Sequence, residues 1–214
     1  MKKLLLLLLI VSVAAQAQDK FTFVFLHKKT DQKELPKEEV DKIMKGHMAN
    51  MQRLAKEGQL LAAGPFDGGG GIFIFKSTSQ DEVKELLATD PGVKAERWNV
   101  EILPYQPRIG GICPVGEKYE MTSYQFVHFK PNVMKFNVQN ADETIRKHIA
   151  FVKELNNGGN VITEATFGGL DGGILVMKGD LQPEVISADP AVAEGLFEPD
   201  FKKLWIAKGS FCEK

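Results

Sequence analysis

The chain has 214 residues, 26% of them charged, with 27 Lys and Arg against 28 Asp and Glu and a formal net charge of −1. A balance this even gives no basic footprint for DNA or RNA, so nucleic acid is not an expected partner. The length suits one large core or two small ones, and two cysteines without a nearby pair of histidines make a poor zinc set.

The first residues, MKKLLLLLLIVSVAAQAQ, combine Lys2 and Lys3 with an apolar run too short to span a bilayer comfortably and a small-x-small site at Ala15-Gln16-Ala17. This predicts a signal peptide over residues 1–17 and a secreted or periplasmic mature protein without membrane attachment. A retained anchor is the alternative, and the polar sequence that follows at once argues against it. Export would put Cys113 and Cys212 where a disulfide can persist. A bridge is the expectation, two free thiols the alternative.

FTFVFLHK at 21–28 reads as a strand, with Phe21, Phe23 and Phe25 on one face and Val24 and Leu26 on the other, so both faces need cover. A helix follows from near Pro36, with apolar positions at Val40, Ile43, Met44, Met51 and Leu54 and a stop at Gly58. Next comes LAAGPFDGGGG at 61–71, either a phosphate cradle or a turn. A cradle needs a helix N-terminus behind its glycines. Here Ile72 to Phe75 follow, a strand-forming run, so the stretch is expected to be a hairpin with a permissive loop. Ser79 and Glu82 have capping-box spacing for a second helix that ends before Asp90-Pro91, and a strand lies near Val100 to Leu103. The order βαββαβ is that of a ferredoxin-like unit.

The pattern then occurs again. HMANMQRLAKEGQLLAAGPFDGGGGIFIFK from His47 resembles HIAFVKELNNGGNVITEATFGGLDGGILVMK from His148, FTFVFLHK pairs with YQFVHFKP at 124–131, and ELLATDPGV at 85–93 pairs with EVISADPAV at 184–192. The expected division is one unit over 20–106, a Pro- and Gly-containing linker over 107–120, and a diverged second unit over 121–210. Joined sheet to sheet, the two copies would cover each other's second face, giving a monomer with an internal pseudo-dimer.

His47 falls on the apolar stripe of its helix, and His148 does the same in the second copy. One such histidine is ordinarily a satisfied core residue; two in one register point to function as well. Asp90-Pro91 and Asp189-Pro190 read as helix stops, or as carboxylates that orient the imidazole of their own half. His27 and His128 are expected to be structural. Met44, Met48 and Met51 could line a soft pocket, although methionine at helical spacing is ordinarily core. No haem or copper motif is present, and no cofactor or metal is expected.

His47 to Leu54, then GQLLAAGP at 58–65, then DPGVKAERWNVEILPY at 90–105, resemble the YCII-related (YciI-like) family, with its helix histidine, G-x-L-L-x-x-G-P strand and late Asp-Pro. The second half, with Ala165-Thr166 where Gly64-Pro65 stand, resembles it more weakly. The resemblance implies an α+β fold of two ferredoxin-like units in a dimeric α/β-barrel arrangement, here fused in tandem. It implies an acid/base pair, His47 with Asp90 and more weakly His148 with Asp189, beside a pocket between helix and sheet. Gly64, Pro65, Phe66 and Met51 are the expected ligand-binding residues, with the glycine loop as a rim. Activities similar in kind are a dehalogenating lyase, lactone isomerases and cofactor-free oxygenases. The expected function is therefore cofactor-independent acid/base chemistry on a small organic molecule. A non-catalytic ligand-binding or vestigial-site protein is the alternative.

Overall fold

The computed structural model describes residues 21–32, 34–116, 118–135, 138–180 and 182–213; the expected signal peptide lies outside them. No helix among the described residues is long and apolar enough to cross a membrane.

The first half runs β1 (Phe21–Lys28), α1 (Lys37–Lys56), β2 (Leu60–Pro65), β3 (Gly71–Phe75), α2 (Gln80–Leu87), α3 (Pro91–Lys94) and β4 (Trp98–Ile109). The second runs β5 (Met121–Pro131), α4 (Ala141–Asn157), β6 (Val161–Thr166), β7 (Gly173–Met177), α5 (Pro183–Ser187), α6 (Pro190–Ala193) and β8 (Phe197–Ala207). Local chemistry accounts for the starts. Pro36 precedes α1, whose first turn holds Glu38 and Glu39 and whose last holds Arg53 and Lys56, as the helix dipole favours. Ser79 caps α2 by accepting from the Glu82 N–H. The glycine-rich segment is a hairpin loop: β2 and β3 pair antiparallel on either side of it.

One element in each half exceeds the sequence expectation. Asp90-Pro91 and Asp189-Pro190 do not merely end a helix; they begin the short helices α3 and α6. Proline suits the first helical position because its missing N–H has no intrahelical partner there, and the aspartate before it serves as N-cap. The order in each half is thus βαββααβ.

All eight strands belong to one sheet in the order β2-β3-β1-β4-β6-β7-β5-β8. β1 lies between β3 and β4, and β5 between β7 and β8, all antiparallel. The halves are joined where Gln106, Pro107 and Ile109 of β4 pair with Thr166, Ala165 and Glu164 of β6. β4 therefore runs into the segment expected to be linker, because the open edge of β6 gives its backbone a partner. At the other seam Phe66 bridges to Leu204, and the Asp67 N–H donates to the Lys203 carbonyl at 3.0 Å. The sheet closes on itself as a barrel.

Both faces of β1 are covered as its alternation requires. Phe23 and Phe25 enter the barrel interior with Ile72, Ile74, Phe126, Phe167 and Leu204. Val24 and Leu26 face outward, with Phe73 and Phe75, onto Leu54, Val83 and Leu87 of the helices. A separate cluster built on Val127, Phe129 and Leu175 does the same for the second half. Each large side chain buried this way contributes roughly 1.5–3 kcal/mol. Because every neighbouring pair is antiparallel, β1 and β5 point the same way, and their equivalent ends share one barrel mouth. The opposite mouth is filled by the C-terminal tail, where Phe211 is fully buried and a disulfide joins Cys113 to Cys212 with Cα atoms 5.0 Å apart.

Candidate functional site

His47 is in the middle of α1 and Asp90 caps α3. The helices approach so closely at Gly46 that a β-carbon there would lie 2.9 Å from Pro91 Cγ. This contact puts the next residue, His47, over the start of α3. Its Nδ1 is 2.9 Å from Asp90 Oδ2 and 3.0 Å from Oδ1. The carboxylate can only accept, so the imidazole carries its proton on Nδ1 when neutral.

Asp90 is held from three sides. Its Oδ1 accepts from the backbone N–H groups of Gly92 at 2.8 Å and Val93 at 3.1 Å, and its Oδ2 accepts from Asn50 Nδ2 at 3.2 Å. Burial pushes its carboxyl pKa up, but the hydrogen bond and charge of His47, helped by Val93 and Asn50, outweigh it and leave the group below its ordinary value. Both residues are nearly enclosed: the side chains of His47 and Asp90 are 7% and 1% exposed. The imidazole stacks on Phe73, with centroids 5.8 Å apart, and lies tilted against Trp98 at 4.9 Å.

The second half repeats the arrangement. His148 Nδ1 is 2.6 Å from Asp189 Oδ2, Asp189 Oδ1 accepts from the Ala191 N–H at 2.8 Å, and the ring meets the edges of Phe129 and Phe197. Phe151 stands where Asn50 does in the first half, so that position offers Asp189 no amide donor.

Apart from Tyr105 Oη, no fully enclosed side-chain polar atom among the described residues lacks a hydrogen-bond partner. Nε2 of His47 and of His148 makes no hydrogen bond within the described protein, so each keeps a small contact with solvent. A histidine with Nδ1 anchored to a carboxylate and Nε2 free can take a proton from a substrate or return one. A cleft of about 610 Å³ lies beside the contact of α1 with α3, lined by residues of α1 between Glu39 and Ala49 and by Pro91; neither His47 nor Asp90 lines it.

The expected ligand-binding residues do not gather here. Met51 packs into the helix-facing cluster of the first half. Gly64 sits at the barrel seam, where a β-carbon would come 2.5 Å from the Trp205 carbonyl, and Pro65 is exposed at the end of β2. Phe66 lies inside the barrel, stacked near Phe25 and Phe126. Gly64 and Phe66 thus close and fill the barrel on the face of the sheet opposite α1. Asn50 and Trp98 were not singled out from sequence. Asn50 had a readable signal, three residues after His47 on the same helix face; Trp98 had none. Among the described residues, no three His, Cys, Asp or Glu side chains converge as metal ligands would.

The first half is similar to a known family. Residues 21–106 match the YCII-related domain. The matched segment holds both members of the His47–Asp90 pair. No curated protein matches the chain. Among solved structures, a mutant chlorite dismutase from Candidatus Nitrospira defluvii is similar with a TM-score of 0.52 at 10% identity, covering 88% of this chain and 92% of that one. A proposed monooxygenase from Lactobacillus acidophilus NCFM is similar with a TM-score of 0.45 at 12% identity, covering 88% and 94%. The mixed α/β architecture with its antiparallel sheet is shared with the dismutase.

Proposed function

We propose that the chain is an exported protein of two YCII-like units, the second diverged, standing to each other as the two subunits of a dimeric α/β barrel. On this reading it carries out cofactor-independent acid/base chemistry, of lyase or isomerase type, on a small organic molecule. The observation that carries the proposal is the His47–Asp90 geometry, with Nδ1 anchored on a buried carboxylate and Nε2 unoccupied. Asp90 fixes the tautomer and supports the imidazolium formed when Nε2 takes a proton. Nε2 then returns that proton to the leaving group or to a neighbouring carbon. His47 itself, helped by the Val93 N–H and Asn50, holds Asp90 below its ordinary pKa against the effect of burial and so keeps it ionised for this role.

A screen of small phenols, lactones and chlorinated aromatics, run beside His47→Ala, tests the proposal. Turnover lost in His47→Ala supports it; turnover unchanged in that variant, or saturable binding without conversion, overturns it. The second reading, binding without turnover, is favoured by one observation: His148 and Asp189 are 3% and 0% exposed, less open than the first pair. On that reading each histidine clamps a short helix to a long one.

A further inference from the structure

The mouth of the barrel opposite the C-terminal tail holds charged and histidine side chains that the His47–Asp90 pair does not use. We propose that this mouth is a second ligand site, built for a small planar carboxylate bearing an acidic hydroxyl: His128 accepts the hydroxyl's hydrogen bond and Lys202 with Lys130 holds the carboxylate.

The placement follows from the repeat. Phe25 of β1 and His128 of β5 occupy equivalent positions, and so do His27 and Lys130. Phe25 pairs across the sheet with Glu101, and His128 with Asp200. The equivalent ends of β1 and β5 share one mouth, so these residues converge: the Phe25 and His128 rings stack with centroids 4.4 Å apart, and His27 stacks on Phe25 at 5.2 Å. The rim is open to water. Side chains of His27, Glu101, Lys130, Asp200 and Lys202 are 30 to 44% exposed. Both glycine hairpins border it, since Gly69 approaches the Lys28 side chain and Gly172 approaches the Phe129 carbonyl and Pro131.

Charge and hydrogen bonding point to the ligand. His27 Nε2 and Glu101 Oε2 are paired at 2.6 Å, which satisfies one side of the mouth. On the other side two cations share one carboxylate, with Asp200 3.4 Å from Lys130 Nζ and 3.3 Å from Lys202 Nζ. The two cations lie on the side away from Glu101, so an anion entering the mouth is best placed against Lys130 and Lys202. Lys202 also lies over the Phe66 ring at 5.6 Å, so a planar apolar body can follow the same surface. His128 is 5% exposed, and because neither ring nitrogen is a fully enclosed atom without a partner, the nitrogen that finds no protein group reaches solvent at the mouth. Burial, with help from Lys130 and His27, lowers its pKa to about 4 against the opposing pull of Glu101 and Asp200. The ring is neutral at neutral pH and so offers an acceptor nitrogen. A neutral imidazole nitrogen facing the mouth can take a hydrogen-bond donor from outside.

The test uses 4-hydroxybenzoate as probe on the mature protein, followed by calorimetry and by the His128 ring-proton resonance. His128→Phe is the matched variant, because phenylalanine already occupies the equivalent position at Phe25; its urea midpoint reports whether folding is kept. We expect saturable binding that shifts the His128 resonance, about tenfold weaker binding of benzoate, which lacks the hydroxyl, and about tenfold weaker probe binding in His128→Phe. Lys202→Met should weaken binding as well, and His47→Ala should leave it unchanged. No saturable binding by the wild type, full-strength binding in a folded His128→Phe, or loss in His47→Ala would overturn the proposal. The last result would place the probe at the helix-sheet pair, so failure here is distinguishable from failure of the proposed acid/base function.

Discussion

Gly46 and Pro91 touch so closely that the first has no room for a side chain, and this contact sets His47 against Asp90. In Gly46→Ala, removing glycine from a helix interior gains about 1 kcal/mol, but forcing a methyl against a rigid proline ring costs typically 1–3 kcal/mol. The variant should be destabilised by up to about 2 kcal/mol on balance. The His47 ring resonances should also move as the pair is pushed apart. An unchanged urea midpoint with unchanged His47 resonances would show that the contact does not position the pair.

Asp90 links stability to acid. Its folded pKa is below the ordinary value, so its contribution is fully present above the unfolded carboxylate pKa of about 3.9 and disappears as pH falls through the lower, folded value. Urea midpoints should therefore fall below about pH 4 in the wild type. Asp90→Asn should start lower at neutral pH and lose part of this acid dependence, while an acid limb identical to wild type would refute the linkage.

The disulfide closes a loop with a sequence separation of 99 residues. In the chain-entropy model such a crosslink stabilises by about 4.7 kcal/mol, less if the reduced chain stays compact. Cys113→Ala with Cys212→Ala should unfold several degrees earlier and free Phe211 from the barrel end. Alkylation of the unreduced protein should label neither thiol; labelling of both in mass spectra would count against the bridge.

The hairpin glycines are not equivalent. Gly70 has φ +79° and a β-carbon would meet the Leu26 carbonyl at 2.4 Å, whereas Gly68, at φ +87°, has open space around it. Gly70→Ala should cost more than Gly68→Ala, by at least about 1 kcal/mol, since it adds a backbone collision to the left-handed strain common to both. Equal thermal midpoints for the two variants would contradict the placement of this loop against β1.

Either half alone exposes the barrel face of its sheet. Residues 18–108 leave Phe23, Phe25, Ile72 and Ile74 without the cover that Phe126, Phe167 and Leu204 supply. At about 25 cal/mol per Å² of apolar area, such a fragment should aggregate or self-associate. A stable, soluble monomer by ultracentrifugation would argue that the halves fold independently.

What the chain alone determined was its periodic content. Alternation in FTFVFLHK required two covered faces, the repeat supplied a second copy, and the spacing of His47 and Asp90 from their duplicates marked both pairs. These signals are local, so they survive in a one-dimensional reading. Tertiary structure decided which residues meet. Asp90 could be read as a helix stop until the packing of Gly46 on Pro91 brought it under His47 and made it the cap of α3. Gly64 and Phe66, part of the motif that resembled a ligand site, close and fill the barrel because β8 arrives beside β2, a pairing between strands far apart in the chain. His128, read as structural, shares the open mouth with His27 and Glu101 only because closure turns equivalent ends of the two halves toward each other. Side-chain period reveals which face a residue occupies; only closure of the sheet reveals what lies across that face.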